Sequence, residues 1–147
     1  MPAYHLDHLC LAVRRIAPAR DMLQRLFGYE VRTDPVENTR QQVIVQFMRK
    51  AGTIDIKLIE PSSPQSPLVE FLKGSGGGLH HLAFRTESVA AGIEDLVAKN
   101  ARVVAKPQPG EAFDDTDIAF LFVGMGLNVE LIETDRRRAD RDGNDRS

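Results

Sequence analysis

Two stretches of this sequence repeat one another at a fixed distance, and that repeat limits the possible folds more than any other feature. Asp7-His8-Leu9-Cys10-Leu11-Ala12-Val13 and His80-His81-Leu82-Ala83-Phe84-Arg85-Thr86 each place apolar residues at alternate positions, as a strand covered on one face does. His8 and His81 occupy the same place in the two stretches, and 81 − 8 = 73. The same offset lays Ile16 to Phe27 on Val89 to Asn100. Both read as helices, with apolar stripes Ile16, Ala19, Leu23, Leu26 and Val89, Ile93, Leu96, Val97. Ser88 is the expected N-cap of the second helix and Gly28 the expected stop of the first. Strands are predicted near residues 29–33 and 101–105, then at 42–48 and 118–123. The last strands match without a gap: Asp55-Ile56-Lys57-Leu58-Ile59-Glu60-Pro61 lies on Asn128-Val129-Glu130-Leu131-Ile132-Glu133-Thr134, and 130 − 57 = 73. Loop insertions would break a shared register, so the sequence predicts an α+β fold of two βαβββ modules.

The 147 residues are expected to form one domain over residues 1–134, with module one at 4–61, a linker at 62–78 and module two at 79–134. Pro67 opens a short predicted helix in the linker, and Gly74-Ser75-Gly76-Gly77-Gly78 follows as a flexible connection. These glycines lack the Lys-Ser/Thr signature and strand–loop–helix setting of a phosphate loop. The charged segment 135–147 has no apolar stripe and is expected to be disordered. A net charge of −2, with Arg136, Arg137 and Arg138 interspersed with aspartates, gives no electrostatic case for nucleic acid. No apolar run approaches the roughly 20 residues that span a bilayer. Asp7 and His8 precede any long apolar segment, so no secretory signal is expected and residence is expected to be cytoplasmic. Cys10 is the single cysteine, which excludes an intramolecular disulfide.

Alternation sorts the strand side chains by face. Leu9, Leu11, Val13, Ile56 and Leu58 lie beneath the helices, leaving His8, Asp55 and Lys57 on the opposite side. In module two His81, Arg85 and Glu130 take that opposite side. Two imidazoles and one carboxylate suit a borderline divalent cation and leave coordination positions for water or substrate. The competing reading from spacing alone makes the histidines ordinary hydrogen-bonded residues and pairs Glu130 with Lys57.

Over residues 6–134 the chain resembles the vicinal oxygen chelate superfamily (glyoxalase, bleomycin resistance protein, extradiol dioxygenase), and within it the methylmalonyl-CoA epimerase branch. The resemblance rests on Gly76 to Phe84, on Asp7-His8-Leu9, on Val129-Glu130-Leu131-Ile132-Glu133, and on Glu60-Pro61 with Ser66-Pro67-Leu68. It implies a cupped mixed sheet with a divalent metal inside (Co, Mn, Zn, Ni or Fe), held by His8, His81 and Glu130. Lys57 falls where the epimerases and glyoxalases carry a Glu or Gln ligand, and an ammonium has no lone pair to give. Three roles for Lys57 stay open: a neutral base, an anchor for an anionic substrate beside a three-ligand metal, or a replacement for the cation paired with Glu130. Lys57 and Glu130 are therefore the candidate catalytic residues. Arg85 and Gln46 are the candidate substrate-binding residues, Gln46 because the region expected to carry the second base reads Val45-Gln46. The implied function is a metal-dependent isomerase or lyase acting on a small organic acid or acyl-CoA. The rivals are a non-haem iron dioxygenase using the same triad and a metal-free small-molecule binding protein. The resemblance also implies a homodimer.

Overall fold

A computed structural model of the chain describes residues 2–141. Module one contains β1 (His5–Ala12), α1 (Ile16–Phe27), β2 (Glu30–Val31), β3 (Val36–Asn38), β4 (Val43–Arg49) and β5 (Asp55–Pro61). Helix α2 (Leu68–Ser75) lies in the linker. Module two contains β6 (Gly78–Arg85), α3 (Val89–Ala98), β7 (Arg102–Gly110), a 3-10 turn (Glu111–Phe113), β8 (Thr116–Phe122) and β9 (Asn128–Ile132). The strands form one mixed sheet in the order β2-β4-β5-β1-β6-β9-β8-β7, with β3 paired to β4. The order is symmetric about the antiparallel β1·β6 pair, and each module adds one parallel pair, β1·β5 and β6·β9. β2 and β3 pair with opposite ends of β4, so together they form one interrupted edge strand where module two has the continuous β7.

The repeat extends to the helix starts. Arg15, the N-cap of α1, offers no side-chain cap; instead Glu60 Oε1 accepts from the Ile16 amide at 3.1 Å. In module two Glu133 Oε1 accepts from the Val89 amide at 2.7 Å, and Ser88 accepts from Ala91 at 3.1 Å. A carboxylate at that position satisfies amides that a helix leaves without partners and complements its dipole. Each final strand is thereby tied to its own helix. Gly28 ends α1 in the left-handed region, as predicted. Leu26 and Val97, each about 80° round the helix from its first stripe residue at 100° per residue, are about half exposed rather than packed.

Alternation produces two kinds of core. On the helix face Ile16, Met48 and Leu58 pack with Leu11, Leu23 and Ile56, while Val89, Leu121, Val129 and Leu131 pack beneath α3. On the other face Cys10, Val45, Phe47, Ile59, Phe113, Phe120 and Ile132 form one cluster roofed by Leu68 and Leu72 of α2. Phe47 of module one meets Phe113 of module two, ring centroids 5.7 Å apart. Side chains from β4 and from the turn before β8 can touch there only if the sheet curls into a cup. The linker glycines have defined conformations: Gly76, Gly77 and Gly78 all have positive φ, and a Cβ on Gly77 would stand 3.0 Å from the Ala12 carbonyl oxygen.

The charged segment after Thr134, expected to be disordered, packs back on the cup through residue 141. Arg138 N donates to Ala112 O at 2.9 Å, Arg141 N to Arg32 O at 2.8 Å and Asp34 N to Ala139 O at 3.0 Å. Arg137 is buried, and Arg32 donates to Asp55, to Asp140 and to the Asp135 carbonyl. The segment is held by backbone hydrogen bonds and buried ion pairs, which leave no apolar pattern in a sequence. Residues 142–147 of that stretch lie outside the described residues.

Candidate metal centre and active site

The bottom of the cup is a cluster of four ionisable side chains, two from each module. His8 (β1), Lys57 (β5), His81 (β6) and Glu130 (β9) are each no more than 3% exposed. Their ionic contacts with one another meet at one oxygen: Glu130 Oε1 lies 3.2 Å from His8 Nε2, 3.3 Å from His81 Nε2 and 3.7 Å from Lys57 Nζ. The imidazole contacts are short but off the line of a hydrogen bond. Both Nε2 atoms and both Glu130 oxygens lack hydrogen-bond partners among the described residues. Buried polar atoms rarely stay unpartnered, and the meeting of three of these, the two Nε2 atoms and Glu130 Oε1, calls for a ligand. One donor atom from each of His8, His81 and Glu130 falls within 4.8 Å of the others, and this set fits a divalent cation.

The protonation states suit the same reading, while the Lys57 ammonium, 3.7 Å from the same Glu130 oxygen, opposes a cation there. Burial pushes the Glu130 carboxyl up, but the Lys57 charge and the two histidine rings outweigh it and hold the group well below the ordinary glutamate value. Burial pushes the His81 imidazole down to about 3, with the neighbouring Glu130 opposing, so the ring is neutral at pH 7. A charged carboxylate and a neutral imidazole are the ligand forms a metal needs. Cys10, His80 and His81 form a second possible cluster. There burial pushes the Cys10 thiol up to about 12, so a cation would have to displace a tightly held proton. The His8–His81–Glu130 set is the better site.

Aromatic rings wall the cluster. His8 packs edge-on to Phe47 at 5.2 Å and stacks on Phe113 at 5.9 Å, while Phe120 packs edge-on to His81 at 5.2 Å. Lys57 Nζ stands 5.3 Å from the Phe113 ring centre. His80 closes one side, its Nδ1 2.8 Å from His81 Nδ1. Beyond His80 opens a cavity of about 270 Å³ lined also by Arg40, Val43, Ile59, Leu68 and Phe120.

The structure brings His8, Lys57, His81 and Glu130 together and separates the other two candidates from them. Arg85, on the same face but at the end of β6, is tied to Asp7 Oδ1 at 3.0 Å and stands near Asp135. Gln46 faces away from the cup, because its neighbour Phe47 takes the inward position of β4. Its register partner Leu58 packs under α1, and its amide donates to Thr33 O at 3.0 Å. Sequence reasoning missed Asp7, whose Oδ2 lies 2.6 Å from His8 Nδ1. A register shift between Leu6 and His8 carries Asp7 to the inner side of the strand, contrary to simple alternation. Burial pushes its carboxyl up, but the His8 hydrogen bond and the Arg137 charge keep it below the ordinary aspartate value. Arg137 was also missed; it donates to Asp7 and lies over the Phe47 and Phe113 rings.

Comparison with known proteins places this geometry among relatives. Residues 7–120 match the Glyoxalase/Bleomycin resistance protein/Dioxygenase superfamily. The uncharacterized protein YqjC of Bacillus subtilis is 32% identical over 131 residues, 87% of this chain and 91% of that protein. The mitochondrial methylmalonyl-CoA epimerase of Dictyostelium discoideum is 26% identical over 133 residues, 90% of this chain and 78% of that protein. A solved variant of Streptomyces coelicolor methylmalonyl-CoA epimerase, in complex with 2-nitronate-propionyl-CoA, superposes with a TM-score of 0.78 at 26% identity, covering 88% of this chain and 96% of its own.

Proposed function

The chain belongs to the Glyoxalase/Bleomycin resistance protein/Dioxygenase superfamily, and from that premise we propose that it is a metal-dependent isomerase acting on an acyl-CoA-like substrate, of the methylmalonyl-CoA epimerase kind. The observation that carries this reading is the convergence of His8, His81 and Glu130, whose buried donor atoms have no hydrogen-bond partners among the described residues. It is supported by likeness, over most of the chain, to epimerases, one of them in complex with an acyl-CoA analogue.

His8 Nε2, His81 Nε2 and Glu130 would hold a divalent cation, whose chemistry is to polarise a thioester carbonyl or carboxylate and lower the energy of the enolate. Lys57 brings a positive charge to the same point and would receive the substrate's anionic group. Glu130 Oε1 takes every close contact, which leaves Oε2 as the atom able to exchange a proton with the substrate carbon. Phe47, Phe113 and Phe120 exclude water and so strengthen each of these charge interactions. The 270 Å³ cavity beside His80 is the approach for the acyl group.

The test is isotope exchange. Protein loaded with Co(II) or Mn(II) and mixed with methylmalonyl-CoA in deuterated buffer should incorporate deuterium at the α-carbon, and the Glu130→Gln variant should not. Verified metal loading without exchange would remove this activity.

A further inference from the structure

The metal ligands sit on central strands, but one of them is fastened from the far end of the chain. Asp7 Oδ2 lies 2.6 Å from His8 Nδ1, and the same oxygen accepts a hydrogen bond from Arg137 Nη2. Arg137 is 130 residues away in sequence and 4% exposed. Its guanidinium lies 4.4 Å from the Phe47 ring centre and 5.1 Å from that of Phe113, the two rings that also pack on His8. Nη2 also faces Asp55 Oδ2 at 3.7 Å, whereas Nε and Nη1 have no partner among the described residues. Two carboxylates and two rings therefore fix the position of this cation. Asp55 lies opposite His8 in the β1·β5 register and is bonded by Arg32, the same residue that holds Asp140 and the Asp135 carbonyl. The segment 135–141 and the histidine share one buried charge network.

We propose that Arg137 is a positioning residue for His8: by holding Asp7 it fixes the imidazole with Nδ1 protonated and the Nε2 lone pair turned to the metal position, so that the C-terminal segment is part of the site. The physical basis is that a histidine ligand is aimed by what its other nitrogen bonds, and a carboxylate partner has a direction only if it is itself held. Asp7 has a second cation, Arg85, on Oδ1, but that side chain is 37% exposed and cannot lock the oxygen that faces His8. The proposal rests on the metal reading above, and its test separates the two.

The measurements are Co(II) affinity by calorimetric titration and the ¹⁵N signature of the His8 ring at pH 8 in metal-free protein. Wild type should show one tautomer, with the proton on Nδ1. Arg137→Gln should show mixed tautomers and bind Co(II) at least about tenfold more weakly, the usual effect of losing a residue behind a ligand. Arg138→Gln, one residue along and paired with Asp114 and Asp115 at the surface, should change neither. An unchanged tautomer and affinity in Arg137→Gln overturns the proposal, as does equal weakening in Arg138→Gln, which would mean the segment acts only by packing. Should Arg137→Gln not fold, both measurements are made on Asp7→Asn, where unchanged Co(II) affinity is again decisive against it. Wild type that binds no Co(II) removes the metal reading, while the tautomer comparison still decides what Arg137 does.

Discussion

Replacing Lys57 with Met tests the charge balance of the cup directly, because it keeps an unbranched apolar stem of four atoms and removes the ammonium at its end. In the structure Nζ lies 3.7 Å from Glu130 Oε1, and both side chains are nearly or wholly inaccessible. Opposite unit charges at that separation attract by about 4 kcal/mol at an effective dielectric near 20. Removing one partner of a buried pair typically costs about 3–5 kcal/mol, because the remaining charge has neither water nor counter-ion. Metal-free Lys57→Met should therefore melt roughly 10 °C below wild type, taking a shift of about 2–4 °C per kcal/mol for a chain of this size. A divalent cation gives Glu130 a new partner, and in the variant that cation no longer meets the repulsion of the Lys57 ammonium, so saturating Co(II) should raise the melting temperature of the variant more than that of wild type. Paired thermal melts in chelator and in Co(II) measure both effects. A metal-free variant melting within about 2 °C of wild type would show that Glu130 does not depend on Lys57. Equal Co(II) stabilisation of both proteins would refute the argument that ammonium and metal compete for one carboxylate.

Further predictions follow from other parts of the molecule. Lys57→Glu should raise Co(II) affinity at least tenfold, about 1.4 kcal/mol, in calorimetric titration, and adding Glu130→Ala should abolish the gain. With its thiol pushed up to about 12 by burial, Cys10 at pH 8 should be thiolate in only about one molecule in ten thousand. Iodoacetamide should then label it only on unfolding, and rapid native labelling would contradict the burial. Glu60→Gln and Glu133→Gln should each lower the unfolding free energy by about 1 kcal/mol, read from the urea midpoint, since each weakens the carboxylate cap on a helix. The dimer implied by the family resemblance should sediment near twice 16.4 kDa, and a single 16.4 kDa species at micromolar concentration would exclude it.

The offset of 73 made the modules legible because register survives only where neither copy has gained a residue. Strands β5 and β9 and helices α1 and α3 lie within the aligned stretches, and β1 and β6 overlap them, each starting two residues earlier. Strict alternation along these strands likewise sorted His8, Lys57, His81 and Glu130 onto one face. Alternation misplaces a side chain where the pleat is interrupted, and it does not show how far along a strand the cup extends. Asp7 lies at a register shift, and Arg85, though on the inner face, stands at a strand end within reach of Asp7. At Gln46 the neighbouring Phe47 shows which way the strand faces, and a family position outweighed that parity. Arg32 and Arg137 left no signal at all. Their partners are 23 to 130 residues away, and a buried ion pair gives neither period nor hydrophobicity. The segment after Thr134 reads as solvated charge until Asp7 and Asp55 are seen to meet it.

The β1·β6 seam has a mechanical consequence. Module one contributes His8 and Lys57 and module two contributes His81 and Glu130, so every pairing with the Glu130 carboxylate, apart from that with His81, crosses the join between the halves. Anything bound between the two histidines rivets one half of the chain to the other. Any shear along the seam moves those histidines relative to each other. Substitutions that alter how tightly the modules are docked will therefore reach the chemistry without touching a ligand, and changes to the ligands will be felt as changes in the force needed to part the halves.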